Sequence, residues 1–138
     1  IMKNLMLLAV AFLGFSAVSL AQSSGLRVKN NTSCYYRIDV EAWDSGCNNR
    51  CGNSFICVPP NSAIVIPPCG ASSLQWDNIR LTSADRNCQH CNQVTAGYVT
   101  SAYGPSCTNF GNSDSETNVC GRCSFTVTFV GPYDLVIN

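Results

Sequence analysis

Between residues 35 and 43 apolar and polar side chains alternate. Tyr36, Ile38, Val40 and Ala42 fall on one side, and Arg37, Asp39 and Glu41 on the other. That period of two predicts a strand with one buried face and one wet face. Phe125, Val127 and Phe129 alternate with Ser124, Thr126 and Thr128 in the same way, and Leu26 and Val28 form a shorter copy. The apolar run Ala63-Ile64-Val65-Ile66 is bracketed by Pro59-Pro60-Asn61-Ser62 and Pro67-Pro68, which predicts a short buried strand. Residues 74–81, 93–103 and 134–137 supply further strands. The first is irregular at Asp77-Asn78, where a bulge is expected to re-aim Trp76. Residues 109–118 read as a long surface loop.

Helical spacing of apolar residues is confined to the first segment. Elsewhere, seven or eight short strands separated by turn residues predict an all-β fold. The expected form is a small, disulfide-stapled antiparallel β-sandwich, with a small β-barrel as the alternative. Trp76, Phe125 and Phe129 are expected in its core.

Residues 1–21 carry a different pattern. Lys3 and Asn4 precede an apolar stretch from Leu5 to Val18, and the small residues Ser19 and Ala21 stand before Gln22. These three parts predict a cleaved signal peptide, leaving 22–138 as a single secreted or periplasmic domain. No later run reaches membrane-spanning length, so no span is expected after processing.

Export changes the meaning of the ten cysteines: Cys34, Cys47, Cys51, Cys57, Cys69, Cys88, Cys91, Cys107, Cys120 and Cys123. In an oxidising compartment an even set of thiols is expected to pair as disulfides, with the connectivity left open. The alternative is zinc. Cys88-Gln-His-Cys91 and Cys120-Gly-Arg-Cys123 are two C-x-x-C pairs, and with His90 as a substitute they have the donor set of a tetrahedral site. Cys88-Gln-His-Cys91 also resembles the motif of thioredoxin-like oxidoreductases. Its flanks lack the strand and helix that such a site needs.

Charge narrows the partners. Eight basic and eight acidic residues balance, so no electrostatic footprint for nucleic acid is present. His90 is the single histidine, no G-x-S-x-G elbow occurs, and no cofactor motif appears. Catalysis is therefore not the expected role, and a small hydrolase, toxin or inhibitor stands as an alternative. Asp114 and Glu116, within Asn112-Ser-Asp-Ser-Glu-Thr-Asn118, offer oxygen ligands at alternate positions, as calcium loops do. Tyr35, Trp43, Tyr103 and Phe110 lie beside polar residues and are the candidates for an exposed aromatic patch.

The opening Leu26-Arg-Val-Lys-Asn-Asn-Thr32, with the Pro60-Asn-Ser turn and the apolar strand after it, resembles the start of thaumatin-like sandwiches over residues 26–66. The resemblance implies a β-sandwich and transfers no functional residue. The expected function is a secreted, non-catalytic recognition or surface-associated module, whose loop aromatics bind a glycan or an extracellular protein.

Overall fold

The computed structural model describes residues 24–89, 96–119 and 123–138. Among these it holds nine strands: β1 (Leu26–Asn30), β2 (Tyr35–Trp43), β3 (Arg50–Val58), β4 (Ser62–Ile66), β5 (Gln75–Ala84), β6 (Ala96–Thr100), β7 (Ser113–Val119), β8 (Cys123–Gly131) and β9 (Asp134–Ile137). One sheet runs β4-β1-β9-β8-β7 and the other β3-β2-β5-β6. They pack as an open sandwich, not as a closed barrel. Neighbouring strands are antiparallel except β1 and β9, which run parallel.

The core follows from the alternation. β2 turns Tyr36, Ile38, Val40 and Ala42 inward, and β5 adds Trp76, Ile79 and Leu81. From the other sheet come Phe125, Val127 and Phe129 of β8, with Leu26, Val28, Leu135 and Ile137. Each large apolar side chain removed from water contributes roughly 1.5–3 kcal/mol. Tyr36 meets Phe125 edge-to-face across the sheets, with ring centroids 5.4 Å apart. Their packing leaves no room beside Gly97, where a Cβ would lie 2.7 Å from the Phe125 ring. The buried Asn30 amide closes the turn after β1 by donating to the carbonyls of Cys34 and Pro59.

The expected bulge in β5 is present. Glu41 pairs with Asn78 and Ala42 with Trp76, so Asp77 is the extra residue. Three expectations are corrected, all at sheet edges. β4 is not a buried strand: it borders the five-stranded sheet, turning Ile66 inward and leaving Val65 65% exposed. Residues 113–119, expected as loop, form β7, paired with β8 from Ser113↔Thr128 onward. β3 was not anticipated, because Cys-Gly-Asn-Ser-Phe carries no apolar alternation. The polar edges at β3 and β7 discourage pairing with other chains.

Four disulfides join Cys34–Cys123, Cys47–Cys107, Cys51–Cys69 and Cys57–Cys88. The first spans the two sheets at one end of the sandwich. Such cross-links belong to an oxidising environment. Cys88 and Cys123, one from each C-x-x-C pair, are bonded to Cys57 and Cys34 and so offer no thiolate to a metal. Asp114 and Glu116 sit on an extended strand, and Asp114 accepts the backbone N–H groups of Tyr98 and Ser115. Residues 1–21, His90, Cys91 and Cys120 lie outside the described residues. No helix among those described is long and apolar enough to cross a membrane.

Candidate functional site on the outer face of the four-stranded sheet

The polar side of the β2 alternation is not a plain solvated surface. Arg37, Asp39 and Glu41 point outward from β2, and Asn78, Arg80 and Thr82 stand opposite them on β5. Register then places Tyr98 of β6 beside Arg80. Three arginines lie over aromatic rings on this face: Arg37 over Phe55 at 3.7 Å, Arg50 over Trp43 at 5.4 Å and Arg80 over Tyr98 at 5.9 Å. At exposed sites each such contact contributes about 0.5–1 kcal/mol.

Phe55 reaches this position through a strained backbone. Ile38 pairs with Ile56 and Val40 with Asn53, so Ser54 and Phe55 bulge opposite the single residue Asp39. Phe55 takes φ of +62°, the left-handed region that disfavours side chains with a Cβ. Its N–H is secured by the Asp39 carboxylate at 2.8 Å. The strain is framed covalently, because β3 is tied on either side of the bulge by Cys51–Cys69 and Cys57–Cys88. The ring itself is 71% exposed. A costly conformation that displays a large apolar ring to water makes Phe55 a candidate for the functional surface.

The opposite flank is built by the loop between β6 and β7. Phe110, 53% exposed, stacks at a tilt on Tyr98 with centroids 5.2 Å apart. The loop is held from beneath by Asp77, the bulged residue of β5, which is fully buried. Its carboxylate accepts the N–H of Cys107 at 3.0 Å, and the N–H and hydroxyl of Thr108 at 3.2 and 3.1 Å. Its carbonyl accepts the Ser101 N–H. Thr100 adds a bond from its hydroxyl to Thr108 and accepts the Phe110 N–H at 2.9 Å. At Gly104 the loop backbone runs so close to β5 that a Cβ would collide with the Trp76 carbonyl.

No protein-family model matches the chain, and no curated protein or solved structure matches it significantly. The functional reading therefore stands on this geometry.

Of the expected aromatic residues, Phe110 belongs to this face. Trp43 is half-buried at one end of it, where its indole N–H donates to Glu41. Tyr35 is half-buried at the other end of β2. Tyr103 is exposed on the same loop as Phe110. Phe55, Tyr98, Arg37 and Arg80 were not among the expected residues. A phenylalanine within Gly-Asn-Ser-Phe, where no core pattern calls for one, was the available signal.

The charges on the face differ in their partners. Glu41 is saturated, accepting Arg50 at 3.1 Å, Trp43 at 3.3 Å and Asn78 at 3.1 Å. Asp44, just beyond β2, accepts the Asn48 N–H at 2.9 Å and the Asn49 amide at 2.6 Å. These bonds hold its carboxyl below the usual carboxylate range. Arg37 and Arg80 form no ion pair with any described residue, and the Nε of each is buried without a hydrogen-bond partner.

Proposed function

We propose that this protein is a secreted, non-catalytic recognition module that binds extracellular glycans on the outer face of its four-stranded sheet. The observation that carries the reading is the exposed, strained Phe55, set across the sheet from the Tyr98–Phe110 pair with outward polar side chains between. Flat aromatic rings cover the apolar face of a pyranose, while guanidinium, carboxylate and amide groups meet its hydroxyls. A disulfide-framed surface loses little freedom on binding, which favours affinity from a small contact area. The leader pattern of residues 1–21 and the four bridges support an extracellular site of action.

The test is a glycan panel probed with purified protein, the Phe55→Gly variant and the Phe110→Ala variant. Retention of a glycan class by the parent, lost in both variants with the fold intact by circular dichroism, is the expected result. Silence across the panel, or hydrolytic release of sugar, would overturn the reading.

A further inference from the structure

Resting on that glycan reading, we infer that the face selects acidic sugar chains, those bearing carboxylate or sulfate groups. The inference comes from an asymmetry in which the carboxylates of the face are hydrogen-bonded while two of its arginines have no carboxylate partner among the described residues. Glu41 is bonded to Arg50, Trp43 and Asn78, and an Asp39 oxygen is bonded to the Phe55 N–H. Arg37 and Arg80 have no carboxylate within ion-pair distance among the described residues. Arg27 is paired with Asp134 at 2.7 Å and Arg50 with Glu41 at 3.1 Å.

Position adds to the argument. Asp39 of β2 pairs with Arg80 of β5, and Arg37 stands two residues along β2 on the same side. The two arginines are thus diagonal neighbours, roughly 7–8 Å apart at the backbone. Each guanidinium lies against a ring, Arg37 on Phe55 and Arg80 on Tyr98, with its Nε buried toward the sheet. A guanidinium braced in this way presents its terminal nitrogens as a fixed fork, which matches carboxylate and sulfate oxygens better than a lone hydroxyl. Continuing outward past the two rings leads to Phe110 on one flank. The resulting stripe sets two guanidiniums between aromatic surfaces, Phe55 on one side and Tyr98 with Phe110 on the other, a layout that suits an extended polyanionic sugar chain.

Calorimetric titration with oligogalacturonate, with its methyl ester and with a dextran sulfate fragment tests this on the intact protein. Oligogalacturonate is expected to bind at least about tenfold more tightly than its uncharged ester, a difference that shrinks as salt is raised. Arg37→Gln and Arg80→Gln should each remove most of that preference, lowering affinity for oligogalacturonate far more than affinity for the ester. Arg37→Lys and Arg80→Lys, which keep charge but lose the fork, should fall between. Thermal unfolding of each variant separates lost binding from lost fold. Comparing the carboxylated with the sulfated probe tells which acidic group is preferred. Equal affinity for oligogalacturonate, its ester and the sulfated probe would overturn the inference and leave the glycan reading standing. Failure of the parent to bind any sugar chain, on this panel or the wider one, would overturn both.

Discussion

The two outer faces of this sandwich are made by the same alternation and differ in how their polar groups are satisfied. On the five-stranded sheet, Ser113 bonds to Thr128 at 2.7 Å and Ser115 to Thr126 at 2.9 Å, hydroxyl to hydroxyl across β7 and β8. Farther along, Arg27 is closed by Asp134 beside an open groove of about 320 Å³ that Val65 and Val130 help to line. Cross-strand pairs of this kind are the ordinary currency of sheet stability. On the four-stranded sheet, two guanidiniums lie on aromatic rings without an anion, and a phenylalanine is held left-handed and exposed. Exposure is common to both faces. Arginines without a carboxylate partner and a strained, exposed aromatic distinguish one.

The largest expected effect erases the comparison altogether. Cys34–Cys123 joins the sheets across a sequence separation of 89. Cutting it in a Cys34→Ala, Cys123→Ala double variant should lower unfolding free energy by about 4 kcal/mol, measured by denaturant titration. Both faces should be lost in one transition. A variant that unfolds the four-stranded sheet alone would show that the sheets are stabilised separately.

A smaller change should damage one face only. Asp77→Ala leaves the Cys107 and Thr108 N–H groups and the Thr108 hydroxyl without their buried acceptor, at an expected cost of about 3 kcal/mol. Amide hydrogen exchange should quicken at Cys107, Thr108 and Phe110, while Val127 and Phe129 in β8 stay as protected as global stability allows. Uniform acceleration would mean that the loop and the core open together.

The next pair of variants sharpens the contrast between surfaces. Phe55→Gly relieves the left-handed penalty of about 1 kcal/mol and gives up one cation–π contact of similar size. Its melting temperature should therefore hardly move, while glycan binding is lost. Thr126→Val removes a hydroxyl rung from the other sheet, with an expected loss of about 0.5–1 kcal/mol and binding unchanged. Reversal of that pattern would place the functional surface on the five-stranded sheet.

How legible each part was in the sequence follows from where it sits. β2 and β8 are interior strands with one face in the core, so Tyr36-Ile38-Val40 and Phe125-Val127-Phe129 declare themselves by alternation. The Asp77-Asn78 irregularity likewise marked a real bulge. Edge strands carry weaker patterns. β7 reads as loop because Ser-Asp-Ser-Glu-Thr-Asn carries no apolar alternation, and β4 reads as buried because an apolar run has no period. The candidate site was half visible. Loop aromatics such as Phe110 stand out beside polar neighbours, but pairing Arg37 with Phe55 depends on a bulge in a strand that the pattern did not announce. Connectivity was equally hidden, since spacing leaves the pairing of ten cysteines open, whereas Cys88 and Cys123 reach to Cys57 and Cys34.

The smallest expected effect concerns pH at the rim of the four-stranded sheet. Asp44 binds the Asn48 N–H and the Asn49 amide in the turn between β2 and β3, beside the Cys47–Cys107 bridge. Those donors favour the ionised carboxylate, so its folded pKa lies below its ordinary value of about 3.9. The unfolded chain then takes up a proton before the folded one does. Stability from this turn is complete above the ordinary carboxylate range and is lost as pH falls through the depressed folded value. Asp44→Asn, which keeps the shape of the side chain without its charge, should flatten that acid limb slightly. No comparable change is expected from altering Ser115 on the opposite sheet, whose rung holds no titrating group. Melting curves of parent and variant between pH 2 and 7 read the difference; superimposable acid limbs would show that the turn is held by its disulfide rather than by its carboxylate.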